Sequence, residues 1–316
     1  MVTGKAESYK NVLVFSGAPA ISVGMLMNWL DRDPVLKKRF LECDGVMCQH
    51  TGQSVYKKIK NYSQQEILQD FDTLLPAVVA VQLVMFRVLA QRMFAFEAVI
   101  GISAGEIGAA YAAGAVSLNE ALTIGFAMGH FVNADASKLR MAMVWISTTE
   151  CEKLLKLYAP DICIATVYNS STLLISGRKG DMSRFARLLE QLDKKIQLLP
   201  VEFGVHSPII EASRMAFLTG LDNIGGHISN GRLISGTLGS WAGRNTRFDA
   251  EFWWNMLIRP VRIREAFDKT KADGFNRYVG ISCGSSIDLI VQPQEESCVL
   301  FDDLFPSPAE PSAVKN

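Results

Sequence analysis

Apolar and polar positions along the chain follow two periods. Short apolar runs bounded by turn residues read as buried strands. Stretches with apolar residues three and four apart read as helices. Residues 11–16 (NVLVFS) form a short apolar strand that ends at Gly17, and residues 23–30 have helical spacing. Residues 31–72 are polar, with short helical pieces at 34–43 and 63–71. Asp72 and Thr73 are placed to cap a long helix over 74–90. A strand over 95–102 breaks at Ser103, and a helix carrying Ile107, Ala110, Tyr111 and Ala112 starts at once. Ser117 and Glu120 have capping-box spacing and open a helix over 121–133.

The pattern then changes. Strand 141–146, helix 150–158, strands 162–168 and 172–175, helix 181–192 and strand 196–201 follow in turn. That order, β-α-β-β-α-β, is the ferredoxin-like one. It marks residues 140–201 as a small inserted subdomain. The chain returns through Phe203–His206 to a helix from about residue 209, a strand at 232–235, a helix at 263–271 and a strand at 277–281. Residues 1–139 and 202–300 are thus expected to form one larger body. Residues 301–316, which end in a Pro-, Ser- and Ala-rich segment, read as a mobile tail.

The junction at Ser103 carries the most chemistry. Gly101 and Gly105 flank the serine at two residues on either side, the G-x-S-x-G spacing of a nucleophile elbow. In such a turn side chains at the flanking positions clash, so glycine is required. The serine hydroxyl then stands at a helix N-terminus, where free N–H groups can stabilise an oxyanion. The plain alternative is a strand–helix turn with a chance serine; the apolar strand before it and the helix after it favour the elbow. An elbow on a parallel sheet makes the larger body α/β-hydrolase-like, so the expected class is α/β with a ferredoxin-like insertion.

Lys+Arg and Asp+Glu are equal at 32 each, so the bulk charge gives no signal for nucleic acid or an anionic membrane surface. The greasy run 74–95 contains Arg87 and Arg92, which suits a buried core helix better than a membrane span. The polar start and six irregularly spaced cysteines fit a reduced, cytoplasmic protein. Cys43, Cys48 and His50 lie close together, but no second ligand pair follows at zinc-site spacing, and no metal is expected.

Several stretches together resemble the malonyl-CoA:acyl-carrier-protein transacylases and the acyltransferase domains of polyketide synthases. They are VLVFSG at 12–17 with Val23-Gly24-Met25, GISAGE at 101–106, Leu174-Ile175-Ser176-Gly177, Val205-His206-Ser207-Pro208, and Phe252-Trp253 with Arg259-Pro260-Val261-Arg262. The resemblance covers roughly residues 11–295. It implies Ser103 as the nucleophile that takes an acyl group from a thioester and His206 as its base. It also implies an oxyanion hole from the backbone N–H groups of Ala18 and Ala104. A backbone carbonyl, that of Met256, would orient the histidine. The substrate would arrive on CoA or phosphopantetheine with no permanently bound cofactor, and the partner would be an acyl carrier protein. A stand-alone, trans-acting and monomeric enzyme is expected.

Departures from the family pattern bear on the acyl group. Ile102 replaces the usual histidine before the serine, and Met128 stands where the family has its carboxylate-binding arginine. Phe203-Gly204-Val205, which with Ile102 and Met128 would shape the acyl pocket, match neither the malonyl nor the methylmalonyl form. Ala18 and Pro19 replace glutamine and glycine, and Gly280-Ile281-Ser282-Cys283 replaces E-x-G-P. These changes imply an acyl group without a terminal carboxylate. Two other readings stay open at this level: an acyl-carrier-protein hydrolase using the same pair, and a carrier-docking pseudoenzyme.

Overall fold

A computed structural model describes residues 9–18, 21–134, 138–201, 203–284 and 297–304. Ten strands, numbered in chain order, form two sheets among these residues. The first sheet contains β1 (Asn11–Phe15), β2 (Ala98–Gly101), β7 (Leu233–Ser235), β8 (Ser240–Trp241), β9 (Arg277–Ile281) and β10 (Ser297–Leu300), in the order β10-β9-β1-β2-β7-β8. All neighbours are parallel except β8, which turns back antiparallel on β7.

β1 is central because both of its faces are apolar. Leu13 and Phe15 face one hydrophobic cluster, and Val12 and Val14 face the other. A parallel sheet is stable only when covered on both sides. On the first side lie α1 (Val23–Arg32), α2 (Pro34–Thr51), α5 (Phe71–Gln91), α6 (Gly105–Ala112) and α7 (Leu118–Ala134). On the second lies α12 (Ile263–Ala272), through Ile263, Ala266 and Phe267.

α5 is the one described helix long and apolar enough to cross a membrane, and it is packed inside the protein. Its partner α7 approaches closely. A Cβ at Gly129 would lie 2.3 Å from the Phe71 carbonyl oxygen, and one at Gly125 would lie 3.0 Å from Val79. The helix starts earlier than the capping pattern suggested, at Phe71 after Asp70. The Phe71 N–H donates to Asn133 Oδ1 on α7, and the Phe71 ring packs on Phe203. These contacts come from distant parts of the chain and extend the helix past Asp72.

The second sheet is antiparallel. It contains β3 (Leu139–Val144), β4 (Cys163–Asn169), β5 (Thr172–Arg178) and β6 (Ile196–Leu198), in the order β4-β5-β3-β6. Helices α8 (Thr148–Tyr158) and α9 (Lys179–Gln191) cover one face through Ala142, Val144, Leu173 and Ile175. Met141, Met143 and Leu174 point the other way, towards the first sheet's core.

Among the elements that escaped the sequence pattern are the helices Val55–Asn61 and Ala250–Ile258, strands β8 and β10, and α13 (Phe301–Leu304). The last corrects the expected tail. Its first residue, Phe301, is buried, with its ring 5.9 Å from Trp29. The rest of that tail lies outside the described residues.

Candidate active site

The C-terminal ends of β1, β2 and β9 meet at one edge of the parallel sheet, where doubly wound sheets place their ligands. β1 delivers Ser16, Gly17 and Ala18, β2 delivers Ile102 and Ser103, and β9 leads to Gly284. Here Ser103 adopts a left-handed backbone, with φ +52°. The N–H groups of Gly105 and Glu106 bond back to the carbonyls of Ile102 and Ser103, at 2.9 Å each. Ala104, at the head of α6, keeps an N–H that the helix itself does not use.

The flanking glycines are needed for a reason the spacing alone does not reveal. A Cβ at Gly105 would lie 2.0 Å from the Phe15 carbonyl oxygen and 2.7 Å from that of Ser16, so α6 rests directly on the end of β1. A Cβ at Gly101 would lie 2.6 Å from Glu106 Cα and 2.8 Å from its Oε2. Gly101 makes room for Glu106, and Gly105 for the neighbouring strand.

His206 also has a left-handed backbone, with φ +57°. Its N–H donates to the Leu257 carbonyl. Its Nε2 lies 2.8 Å from Ser103 Oγ, and its Nδ1 lies 3.1 Å from the Arg259 carbonyl oxygen. A carbonyl can only accept, so Nδ1 carries the proton and Nε2 presents its lone pair to the serine hydroxyl. The ring is 2 % exposed. Burial pushes its pKa down to about 4, against the opposing pull of the Arg259 and Met256 carbonyls. The imidazole is therefore neutral near neutral pH, with the Nε2 lone pair unprotonated and facing Ser103 Oγ.

The orienting carbonyl is a correction. The family resemblance pointed to Met256, and the ring nitrogen instead bonds Arg259. Both carbonyls belong to the end of α11 (Ala250–Ile258). The last carbonyls of a helix lack intrahelical partners, and Pro260 has no N–H to give Met256. Arg259, the C-cap, turns to φ −86° and ψ 151° and swings its carbonyl out to the ring. Met256 still favours the charged ring, as a secondary contributor.

Ser103 and His206 open onto a cavity of about 510 Å³ between the two sheets. Ala18, Ile102, Phe203 and Val205 line it as the sequence suggested. Two pocket residues do not. Met128 is 1 % exposed, belongs to the main hydrophobic core and is absent from the lining. Gly204 faces the antiparallel sheet, where a Cβ would lie 2.5 Å from Leu139 Cβ and 2.9 Å from Ser176 Oγ. It is a close-approach residue and does not enlarge the pocket.

The opposite wall is one the sequence reading did not name: Met141 and Met143 of β3, Thr166 and Tyr168 of β4, Leu174 of β5, and Leu199. The signal was present as a period of two. Met141 and Met143 alternate with Ala142 and Val144, and the second pair faces α8 and α9. Among the described lining residues none is Lys, Arg, Asp or Glu. The remaining histidines lie elsewhere: His50 by Thr123, His130 by Asp72 and His227 by Glu120. Cys43, one of the clustered cysteines, is a buried thiol pushed up to about 11 by burial. Among the described residues no group of three His, Cys, Asp or Glu could hold a metal ion.

Glu106, three residues after the nucleophile, is wholly buried. Its Oε1 accepts from Ser235 Oγ and from the Thr237 N–H, at 2.7 Å each, and its Oε2 has no hydrogen-bond partner. Burial pushes its carboxyl up to about 7. A lone carboxylate between Gly105 and the apolar stretch Ile107–Ala112 was the available signal for it.

Comparison with known proteins points one way. Polyketide synthase GfsE of Streptomyces halstedii is 27% identical over 310 residues, covering 94% of this chain and 8% of its own length. Erythronolide synthase EryA3 of Saccharopolyspora erythraea is 26% identical over 308 residues, covering 98% of this chain and 10% of its own. The chain thus spans a tenth or less of these relatives. Among solved structures, the acyltransferase domain from module 8 of the salinomycin polyketide synthase superposes with a TM-score of 0.82 at 24% identity, over 92% of this chain and 70% of that one. The malonyl CoA-acyl carrier protein transacylase from Clostridium perfringens gives 0.79 at 16%, over 92% of each chain. These two likenesses speak for the fold. The family model described as "Acyl transferase domain" matches residues 12–297, nearly the whole chain, and the chain belongs to that family.

Proposed function

We propose that this protein is an acyltransferase of polyketide or related assembly-line biosynthesis. It moves an acyl group without a terminal carboxylate from a CoA or carrier-protein thioester to a separate acyl carrier protein. One observation carries the reading: a neutral, buried His206 whose Nε2 sits 2.8 Å from Ser103 Oγ, with its other nitrogen held by a backbone carbonyl. In this mechanism His206 takes the Ser103 proton as Oγ attacks the thioester carbonyl. The N–H groups of Ala104 and Ala18 receive the oxyanion. His206 returns the proton to the leaving thiol, and an acyl-Ser103 ester remains. A pantetheine thiol on the carrier then gives its proton to His206 and attacks the ester, which frees Ser103. No cofactor takes part in these steps.

The acyl assignment rests on the cavity wall. A carboxylate buried there without a cation would cost several kcal/mol, and Ile102, Met141, Met143, Leu174 and Val205 offer apolar contact instead. The architecture is read in the same terms. Residues 1–139 and 202–300 form an α/β-hydrolase-like body, and 140–201 form a ferredoxin-like insertion that closes the cleft. The β4-β5-β3-β6 order supports this division.

The test is intact-protein mass after exposure to malonyl, acetyl, butyryl and longer donors on CoA and on carrier protein, followed by a holo-carrier. Loading by the neutral acyl donors and transfer to the carrier are expected. Ser103→Ala should load nothing, and His206→Ala should load about 10²–10⁴-fold more slowly. Preference for malonyl would sink the acyl assignment. Release of free acid in place of transfer would make the protein a hydrolase.

A further inference from the structure

Glu106 is unexplained by the reaction above. It is buried beneath the elbow, it touches no part of the cavity, and one of its oxygens is unpaired. Such a group is costly to keep unless the contacts it makes matter. Its contacts all lead to one segment. Ser235 is the β7 residue in register with Gly101 of the elbow strand, and its hydroxyl donates to Glu106 Oε1. The next residue, Gly236, donates its N–H to the Gly101 carbonyl and accepts from the Arg262 N–H at 2.7 Å. Thr237 gives its N–H to the same carboxylate oxygen. The Arg262 side chain donates to the Leu238 carbonyl.

Residues 259–262 therefore form a strap bound to the turn that Glu106 holds. The strap crosses the cleft. Val261 lines the cavity, its N–H donates to the Ala165 carbonyl in the antiparallel sheet, and Arg259 supplies the carbonyl for His206 Nδ1. Ser103 sits three residues before Glu106 on the same turn. One carboxylate thus joins the segment that carries the nucleophile to the segment that aims the base.

We propose that Glu106 is a positioning residue of the Ser103–His206 pair: by accepting from Ser235 and Thr237 it ties the elbow to the 259–262 strap and sets the distance between the two reacting atoms. The assignment rests on that pair being the reacting one, as proposed above. Its active element is the hydrogen-bond acceptor at Oε1. Glu106→Gln keeps an acceptor there and keeps the side chain's size, and Glu106→Leu removes the acceptor.

The readout is labelling of Ser103 by a small alkyl fluorophosphonate, in which Oγ displaces fluoride at phosphorus and His206 takes the proton. This probe needs no carrier and no particular acyl group. Because misplacement by about an ångström costs up to about 10²-fold, the maximal labelling rate of folded Glu106→Leu should fall roughly 10- to 100-fold. Its half-saturating probe concentration should stay within about threefold, since the cavity wall is untouched. Glu106→Gln should restore the rate to within about threefold of the parent. Ser235→Ala removes one donor with little change in volume and tests the same contact if Glu106→Leu does not fold; a slower maximal rate is expected there too.

Equal maximal rates in the parent and in folded Glu106→Leu, or in Ser235→Ala where Glu106→Leu does not fold, would overturn the assignment and leave the Ser103–His206 pair standing. A Glu106→Gln rate as low as that of Glu106→Leu would overturn the acceptor role. A parent that labels no faster than Ser103→Ala would overturn the pair itself, and this assignment with it.

Discussion

Two buried groups at the site make opposite demands on pH, and their opposition is measurable. Burial holds His206 down at about 4 when folded, against an ordinary value of 6.5. Between these values the unfolded chain binds more protons, so stability from the neutral ring is full above 6.5 and is lost as pH falls towards about 4. Glu106 runs the other way: it is raised from 4.5 to about 7. Stability from its neutral form is full below 4.5 and is lost as pH rises through about 7. At 1.36 kcal/mol per pH unit, each contributes roughly 3 kcal/mol in magnitude. Over the shared window from about 4.5 to 6.5 the two slopes offset each other. Unfolding free energy of the parent, measured by urea titration at half-unit steps, should therefore show little net slope from these two groups. Removing one should expose the other. His206→Asn should lose stability as pH rises across the window, and Glu106→Gln should gain it. Parallel profiles for the parent and both variants would refute the reasoning, because they would mean that neither group shifts on folding.

Three further outcomes follow from close contacts. Gly105→Ala would drive a methyl to 2.0 Å from the Phe15 carbonyl oxygen, so α6 must leave β1; acyl loading should fall by about 10²-fold or more, as read by intact-protein mass against time. Gly204→Ala would press on Leu139 and Ser176 and displace the chain leading to His206. It should slow loading by every donor alike, and a changed acyl preference at an unchanged rate would contradict this placement. Gln82→Leu removes the Nε2 donor that bonds the Ser16 carbonyl at 2.6 Å, so a buried acceptor loses its partner. Stability should drop by about 1–3 kcal/mol, seen as a lower urea midpoint with an unchanged slope.

What could be read from the sequence was whatever local order encodes. The elbow was legible because an apolar strand, Gly101, Ser103, Gly105 and an Ala-rich helix are contiguous. Strand and helix periods gave the order of elements in the antiparallel sheet, since a period of two or 3.6 reports which face is apolar. The pairing of Ser103 with His206 was legible only through the family resemblance, because 103 residues separate them. The rest depended on which surfaces meet. Met128 looks like a pocket residue by its position after the serine, yet it is buried in the main core and does not line the cavity. Gly204 looks like a pocket residue by its place just before His206, yet it faces Leu139. The carbonyl that aims His206 has no side-chain signature at all; Arg259 supplies it because a helix ends there and the next residue is a proline. A sequence states which residues are apolar and where the backbone can turn. Only the packed structure decides which apolar face meets which, and which unpaired backbone group ends beside a reactive atom.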